Sequence, residues 1–382
     1  MSVLVISFDA IGDKAFEDMA SDSEKYPNIA RFKQEAYYQG GVKTVFMSNT
    51  YPVHTSISTG KLPKDHGIIS NLLPAKSCGA PPWAQMAKYI KTKTIWDAAR
   101  EKKLSTAAML WPVTCGAKIN YHMPEVHLEK GQNLLLRSLL YGSVFFQLAA
   151  VLKHGRMLLK ALKGDHVELD NFTSVVTRDL LKRKKPDLVL VHLIAYDTMF
   201  HFTGSKGKEM DIAKKALDTN LGILLENWGE NTVIVFSDHS QLDVSENIDL
   251  NDIYGNAVFE QTGGSAFTDK AIEGLEEQPW FGRYLTKEEM EESGHIDKHI
   301  LGIAAKAGYV FSSGSYRFKG NHGYPADYEN YNIFYAVKGK NFRQGHEQNW
   351  LKNKITDTTA IIARELNLNM DILEEYKVTT PA

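Results

Sequence analysis

Short apolar runs alternate with stretches of helical period along the 382-residue chain. VLVISF at 3–8 is almost wholly apolar and stops at Asp9, the pattern of a strand buried on both faces. VKTVF (42–46), TAAML (106–110), DLVLVHLI (187–194), TVIVFS (232–237) and NIFYAV (332–337) repeat it. Helices are expected between them, over 27–35, 94–102, 172–184, 208–226 and 356–366, with one long helical region over 132–163. Strands interleaved with helices predict an α/β fold, a mostly parallel central sheet flanked by helices on both faces. From 245 to 318 the pattern changes to many acidic residues, little strand alternation and a capping box at Thr286–Glu289. This stretch reads as an inserted smaller lobe, with 1–244 and 319–382 forming the main domain.

Composition narrows the class. Hydrophobic residues at 43% and charged residues at 24% exclude wholesale disorder. Net charge is 44 − 46 = −2, so no global field favours a nucleic-acid polymer, and none is expected as a partner. The most apolar later stretch, Leu134 to Leu152, is interrupted by Arg137, Gly142 and Gln147. It falls short of the about 18–20 unbroken residues of a membrane span and reads as a buried or amphipathic helix covering the core. Peripheral membrane contact and a lipid-binding cleft beneath it are the alternatives. Cys78 and Cys115 are too few for a disulfide framework and lack zinc-knuckle spacing. They read as reduced thiols, a bridge between them being the other possibility. The opening MSVLVISFDAIGD has neither a basic leader nor a long apolar core, so the expected location is cytoplasmic.

Ligands of parallel sheets bind outside the carboxyl ends of the strands. VLVISF ends in Asp9, DLVLVHLI runs into Asp197 and then His201, and TVIVFS ends in Asp238-His239. His322 follows in the glycine-flanked GNHGY. Carboxylate with imidazole suits Zn²⁺ or a neighbouring first-row cation. Each residue also has an ordinary reading: Asp9 as a helix cap or turn residue, Asp197 and His201 as an i,i+4 pair on a helix face. Three of these sites fall at expected strand ends on one rim, which weakens the ordinary readings jointly. His295 and His299 share the i,i+4 spacing but follow no strand and read as a solvated helix face. Asp243 reads as a loop residue and His192 as a satisfied core histidine; His54 and His66 read as structural. In SNTYPVHTSISTG, Pro52 favours a helix start, which brings Thr50 to the N-terminus, where free N–H groups attract anions. Thr50 is thereby a candidate nucleophile, with capping by Thr50 or Asn49 as the alternative.

Five segments together resemble the nucleotide pyrophosphatase/phosphodiesterase branch of the alkaline phosphatase superfamily. They are ISFDAIGD, SNTYPVHTSISTGKLPKDHGIISN, VHLIAYDTMFH, VFSDHS and GNHGY, in that family's order across residues 6–324. The resemblance implies an alkaline phosphatase-like fold and two divalent cations, Zn²⁺ first and Mn²⁺ second. Asp197, His201 and His322 would hold one; Asp9, Thr50, Asp238 and His239 would hold the other. It also implies that Asn71 hydrogen-bonds a phosphoryl oxygen and that Tyr51 stacks on the transferred or leaving group. Ser240 stands where the family usually has glycine, and the stretches 120–185 and 245–318 do not match the secreted animal enzymes.

The expected reaction is transfer of a phosphoryl or nucleotidyl group to Thr50, then hydrolysis of the phospho-threonine. No arginine lies in the Thr50 segment, and the nearest basic residues are Lys43 and Lys61. A neutral Asn71 suits a singly charged diester, a small-molecule phosphate ester or nucleotide, better than a dianionic monoester. The alternatives are a phosphonate or phosphomonoester hydrolase on the same scaffold and a non-catalytic, metal-stabilised binding protein.

Overall fold

All six residues of Val3–Phe8 are withdrawn from solvent, as an apolar run at the centre of a parallel sheet must be. The computed structural model describes residues 2–73, 82–129, 131–255, 258–314, 316–342, 344–345, 347–373 and 376. Among them the main sheet comprises β1 (Val3–Phe8), β2 (Tyr37–Val42), β3 (Thr106–Met109), β4 (Tyr121–Met123), β5 (Leu188–Leu193), β6 (Thr232–Ser237) and a C-terminal strand, Ile333–Lys338. The spatial order is β2, Ile333–Lys338, β6, β1, β5, β3, β4. The C-terminal strand is antiparallel to β6 and β2, and the other pairs are parallel.

The helices before the lobe are α1 (Asp13–Ser21), α2 (Pro27–Glu35), α3 (Thr50–Thr59), α4 (Pro63–His66), α5 (Ile95–Glu101), α6 (Leu134–Tyr141), α7 (Val144–Ala161), α8 (His166–Arg183), α9 (Ala195–Thr203) and α10 (Lys208–Leu225). Alternation along β1 splits its side chains between two cores. Leu4, Ile6 and Phe8 pack with Phe16, Phe32, Val176 and Leu217, from α1, α2, α8 and α10. Val3 and Val5 pack with Val53 and Ile57 of α3, Trp96 of α5 and Ile361 of the C-terminal helix Asp357–Glu365. The sheet is thus covered on both faces.

Several expectations are corrected. The second strand is Tyr37–Val42, upstream of VKTVF, because its half-exposed pattern carries no apolar run. The region 132–163 is two helices, α6 and α7, parted at Gly142. A Cβ there would lie 2.6 Å from the His122 carbonyl and 2.4 Å from Gln147 Nε2, so the close approach requires glycine. This hairpin covers the core with one face only: Ala150 is buried in it and Phe146, Met157 and Leu158 pack against it, while the opposite face is exposed. The stretch 245–318 carries a four-stranded antiparallel sheet, in the order Phe281–Tyr284, Leu301–Ala305, Ser265–Thr268, Glu260–Gln261. Its strands are short, and Ser265–Thr268 is buried on both faces, so no alternation marks them. Leu250, Phe259, Trp280, Ile303 and Phe311 pack with Tyr324 and Tyr331, from beyond that stretch, in a further core. His295 and His299 lie on no solvated helix: His295 is buried, stacked on Phe267 at 3.8 Å and 9°. Cys115 is buried, its Sγ 3.1 Å from the Glu125 carbonyl, while Cys78 lies outside the described residues.

Candidate active site

The strands β6, β1 and β5 are neighbours running the same way, so their carboxyl ends open onto one rim. Asp9 follows β1, Asp197 sits in the first turn of α9 after β5, and Asp238-His239 follow β6. Ala10 adopts φ 64°, a left-handed conformation that costs a non-glycine residue about 1 kcal/mol. That turn delivers the Ala10 N–H to Asp238 Oδ1 at 3.1 Å.

The chain brings all seven expected ligands together. His239 Nε2 lies 3.3 Å from Asp238 Oδ2, 3.5 Å from Asp9 Oδ1 and 3.2 Å from Thr50 Oγ1. Asp197 Oδ1 lies 3.4 Å from His201 Nε2 and 3.9 Å from His322 Nε2. Two sets of donors are compact enough to hold a cation, Asp9–Asp238–His239 and Asp197–His239–His322, so His239 stands between both centres. Each imidazole is turned the same way. His201 Nδ1 donates to the Gly320 carbonyl at 2.8 Å, His322 Nδ1 to Asn49 Oδ1 at 2.8 Å, and His239 Nδ1 faces the Ser240 carbonyl at 3.3 Å. With Nδ1–H engaged, Nε2 offers its lone pair to the rim.

The electrostatics fit cations. Burial, then the charges of Asp238 and Asp197, push the Asp9 carboxyl well above its ordinary range. Burial alone would raise Asp238, but the His239, His54 and His192 rings outweigh it and hold that carboxyl below its usual value. Burial, with the neighbouring His239 and His201 rings, keeps His322 well below the usual imidazole value, hence neutral and able to ligate. Asp9 Oδ1 and Asp238 Oδ2 are buried without a hydrogen-bond partner, the mark of oxygens suited to a metal.

Asn49 occupies the N-cap position of α3, yet its side chain does not cap; it holds His322. Thr50 is the first helical residue, nearly buried, and its Oγ1 faces His239. The capping alternative is therefore set aside for both residues. Asn71 Oδ1 accepts the Tyr51 N–H at 2.9 Å, which leaves its Nδ2 as the free donor in the cleft. Tyr51 is only 1% exposed, and its ring abuts Trp83 and His127. Those two rings stack on each other at 3.7 Å and line the cleft beside Tyr51.

Several site residues carried no sequence signal. Gln241 Nε2 donates to the Asp197 backbone and carboxylate. Glu125, His127 and Trp83 reach the cleft from a loop and from beyond β4, with no strand-end pattern to mark them. His192 is more than a core filler: its Nε2 lies 3.2 Å from Asp9 Oδ2. His54 is buried beneath the site, with Nδ1 2.9 Å from the Thr50 carbonyl and 3.4 Å from Asp238 Oδ2. His66 bonds Ser56 away from the cleft, and Asp243 receives the Ser205 N–H on the surface. Gly323 takes φ 86°, and a Cβ there would lie 2.3 Å from the Thr262 carbonyl, so the residue after His322 must be glycine. The cleft holds about 510 Å³, with Gln261–Gly263 and Phe311–Ser313 lining one side. Among its described lining residues there is no lysine or arginine. Lys43 Nζ donates to Asn332 Oδ1 and the Ala326 carbonyl, and Lys61 pairs with Asp371.

A mostly parallel sheet whose strand ends gather carboxylates and imidazoles around a threonine at a helix N-terminus defines the class by architecture, an α/β protein of alkaline phosphatase-like fold. The chain belongs to the type I phosphodiesterase / nucleotide pyrophosphatase family, whose sequence profile matches residues 3–311. It is 22% identical over 352 residues to the bis(5'-adenosyl)-triphosphatase enpp4 of Xenopus laevis, covering 86% of this chain and 71% of that protein. It is 25% identical over 252 residues to ectonucleotide pyrophosphatase/phosphodiesterase family member 3 of Bos taurus, covering 62% of this chain but only 24% of that protein. The fold is similar to that of murine ectonucleotide pyrophosphatase / phosphodiesterase 5, with a TM-score of 0.65, 19% identity, and 97% and 96% of the two chains covered.

Proposed function

We propose that the protein hydrolyses a phosphodiester or phosphoanhydride of a small molecule, a nucleotide among the candidates, through a covalent phospho-threonine on Thr50. The observation that carries the reading is Thr50 Oγ1 lying 3.2 Å from His239 Nε2, at a helix N-terminus, between buried carboxylates. Asp9, Asp238 and His239 with Thr50 would hold one divalent cation; Asp197, His201 and His322 would hold the other. Zinc is favoured by the mixed imidazole–carboxylate donors, with manganese second. Bound there, the cations would lower the pKa of the Thr50 hydroxyl and neutralise charge on the leaving oxygen.

Thr50 Oγ1 forms the bond to phosphorus as the bond to the leaving oxygen breaks. Water then adds to the same phosphorus from the side the leaving group vacated and releases Thr50; one water is consumed per bond cleaved. The Asn71 Nδ2 and the Thr50 N–H at the start of α3 stabilise charge on the non-bridging oxygens. Gln241 and Asn49 hold Asp197 and His322 in position. The absence of lysine and arginine from the described cleft favours a singly charged diester over a dianionic monoester. A nucleotide is suggested by the relatives: the Xenopus protein is named for bis(5'-adenosyl) triphosphate, and a murine family-5 enzyme has been solved in complex with AMP.

The test is chelation followed by reconstitution with Zn²⁺ or Mn²⁺, assayed on bis-p-nitrophenyl phosphate, diadenosine triphosphate, p-nitrophenyl phosphate and a phosphonate. Chelation should abolish turnover, and either metal should restore it, with diester and anhydride exceeding monoester. Dominant monoester or phosphonate turnover would replace the diester reading, and turnover indifferent to chelation would remove the metals.

A further inference from the structure

The α6–α7 hairpin presents hydrocarbon to solvent. On α7, Phe145, Leu148 and Leu152 recur at spacings of three and four ahead of a kink at His154 (φ −123°), and Leu159 and Leu162 follow it three apart. Phe145 and Leu152 are 89% and 87% exposed; on α6, Leu136 and Leu140 are 67% and 66% exposed. Scattered exposed leucines need no explanation, but a contiguous apolar surface on two consecutive helices does. No helix among the described residues is long and apolar enough to cross a bilayer.

A second stripe lies one residue, or about 100°, round from the first. Lys153, Arg156, Lys160 and Lys163 follow the same three-and-four spacing. From 132 to 164 the sequence has five cations, these four and Arg137, and no aspartate or glutamate, in a chain whose overall charge is −2. Lys153 is tied to Asp179 and Lys160 to Glu168, while Arg156 and Lys163 have no ion pair among the described residues. A groove of about 440 Å³ opens between Phe145, Phe146 and Leu180, edged by Arg183 and Lys184. Its one described acid, Asp179, is held by Lys153, His154 and Arg178.

We propose that this face docks on an anionic phospholipid bilayer, lying in the headgroup region with its apolar stripe inserted and its cations against lipid phosphates. An apolar stripe bordered by lysine and arginine has the chemistry of an interfacial helix. The charge decides against a second copy of the chain: an isologous pair would set cations against cations with no acid from 132 to 164 to answer them. The hairpin also leaves and rejoins the chain at the cleft, since Glu125 and His127 before it and His166 after it line the site. The inference stands on the surface alone, independent of the reaction proposed above.

Co-sedimentation of the full chain with vesicles tests it, using phosphatidylcholine alone and phosphatidylcholine mixed with phosphatidylglycerol. Binding is expected only to the anionic vesicles and should fall steeply with salt. Phe145→Ser with Leu152→Ser should weaken it about tenfold or more, and Arg156→Gln with Lys163→Gln by about tenfold. Unchanged circular dichroism shows that each variant is folded. No binding to anionic vesicles, or binding indifferent to the serine pair, overturns the proposal. So does a dimer in sedimentation velocity that the serine pair converts to monomer, because that result assigns the face to self-association.

Discussion

The cleft at the strand ends and the α6–α7 hairpin invert the usual distribution of side chains in opposite directions. The cleft buries charge: Asp9, Asp238 and His239 are all withdrawn from water, and two carboxylate oxygens have no hydrogen-bond partner. The hairpin exposes hydrocarbon: Phe145 and Leu152 keep almost their full surface in solvent. Each arrangement costs folding free energy if left uncompensated, a few kcal/mol per unpaired buried polar group and less for each exposed apolar one. The difference teaches where chemistry and adhesion reside. Rigid neighbouring strands hold the charges at fixed spacing, whereas a two-helix excursion displays its apolar stripe without disturbing the sheet.

The sharpest break in that comparison is Thr50→Ala. It should lower turnover by roughly a thousandfold or more while metal content and melting temperature stay near wild type. Unchanged turnover in a steady-state assay would dismiss Thr50 as nucleophile and favour a binding protein. Asn71→Ala should cost about a hundredfold in kcat, read by the same assay, because a fixed donor to the phosphoryl oxygens is lost. Leu4→Ala, in β1, should destabilise the fold by about 2–5 kcal/mol in a urea melt. Leu152→Ser should fall within about 0.5 kcal/mol of wild type in the same melt, since its side chain is already in water. Equal losses at the two leucines would mean that the hairpin is packed in solution.

A smaller effect is expected at a buried imidazole away from the cleft, His295. Burial, with lesser contributions from His299 and Lys298, lowers His295 to about 3. Its folded pKa lies below the ordinary value of about 6.5, so the unfolded chain takes up the proton first as pH falls. The neutral ring's contribution is therefore present above that ordinary value and is lost as pH drops toward 3. His295→Phe preserves a ring against Phe267 and removes the titration. The stability difference between variant and wild type should shift by roughly 2 kcal/mol between about pH 7 and pH 5. A flat difference in denaturant melts would exclude a buried neutral His295.

Legibility in the sequence followed burial. β1, β5 and β6 were readable because strands covered on both faces must be apolar throughout; Asp9 and Asp238 stood out as abrupt polar stops, and Asp197 follows the β5 run in the first turn of α9. β2 was misplaced because its half-exposed YYQGGV carries no such run. The lobe's strands were missed because segments of two to five residues are too short to show a period. The hairpin's leucines were legible as helix but not as surface: an apolar stripe has the same spacing whether a core or solvent faces it.

The amino-acid sequence by itself determined the order of the buried strands and most of the helices between them, six carboxylate and imidazole candidates and a threonine at a helix start, because hydrophobic period, proline and polar stops are local signals. Tertiary structure alone decided that β6, β1 and β5 lie side by side, so that residues 9, 197 and 238 share one rim. It alone turned Asn49 from a cap into the partner of His322, set Tyr51 against Trp83 and His127, and left one face of α6 and α7 to water. Those outcomes depend on which long-range contacts close. The free energy of such a contact belongs to pairs of segments far apart in the chain, and no single stretch of residues encodes it.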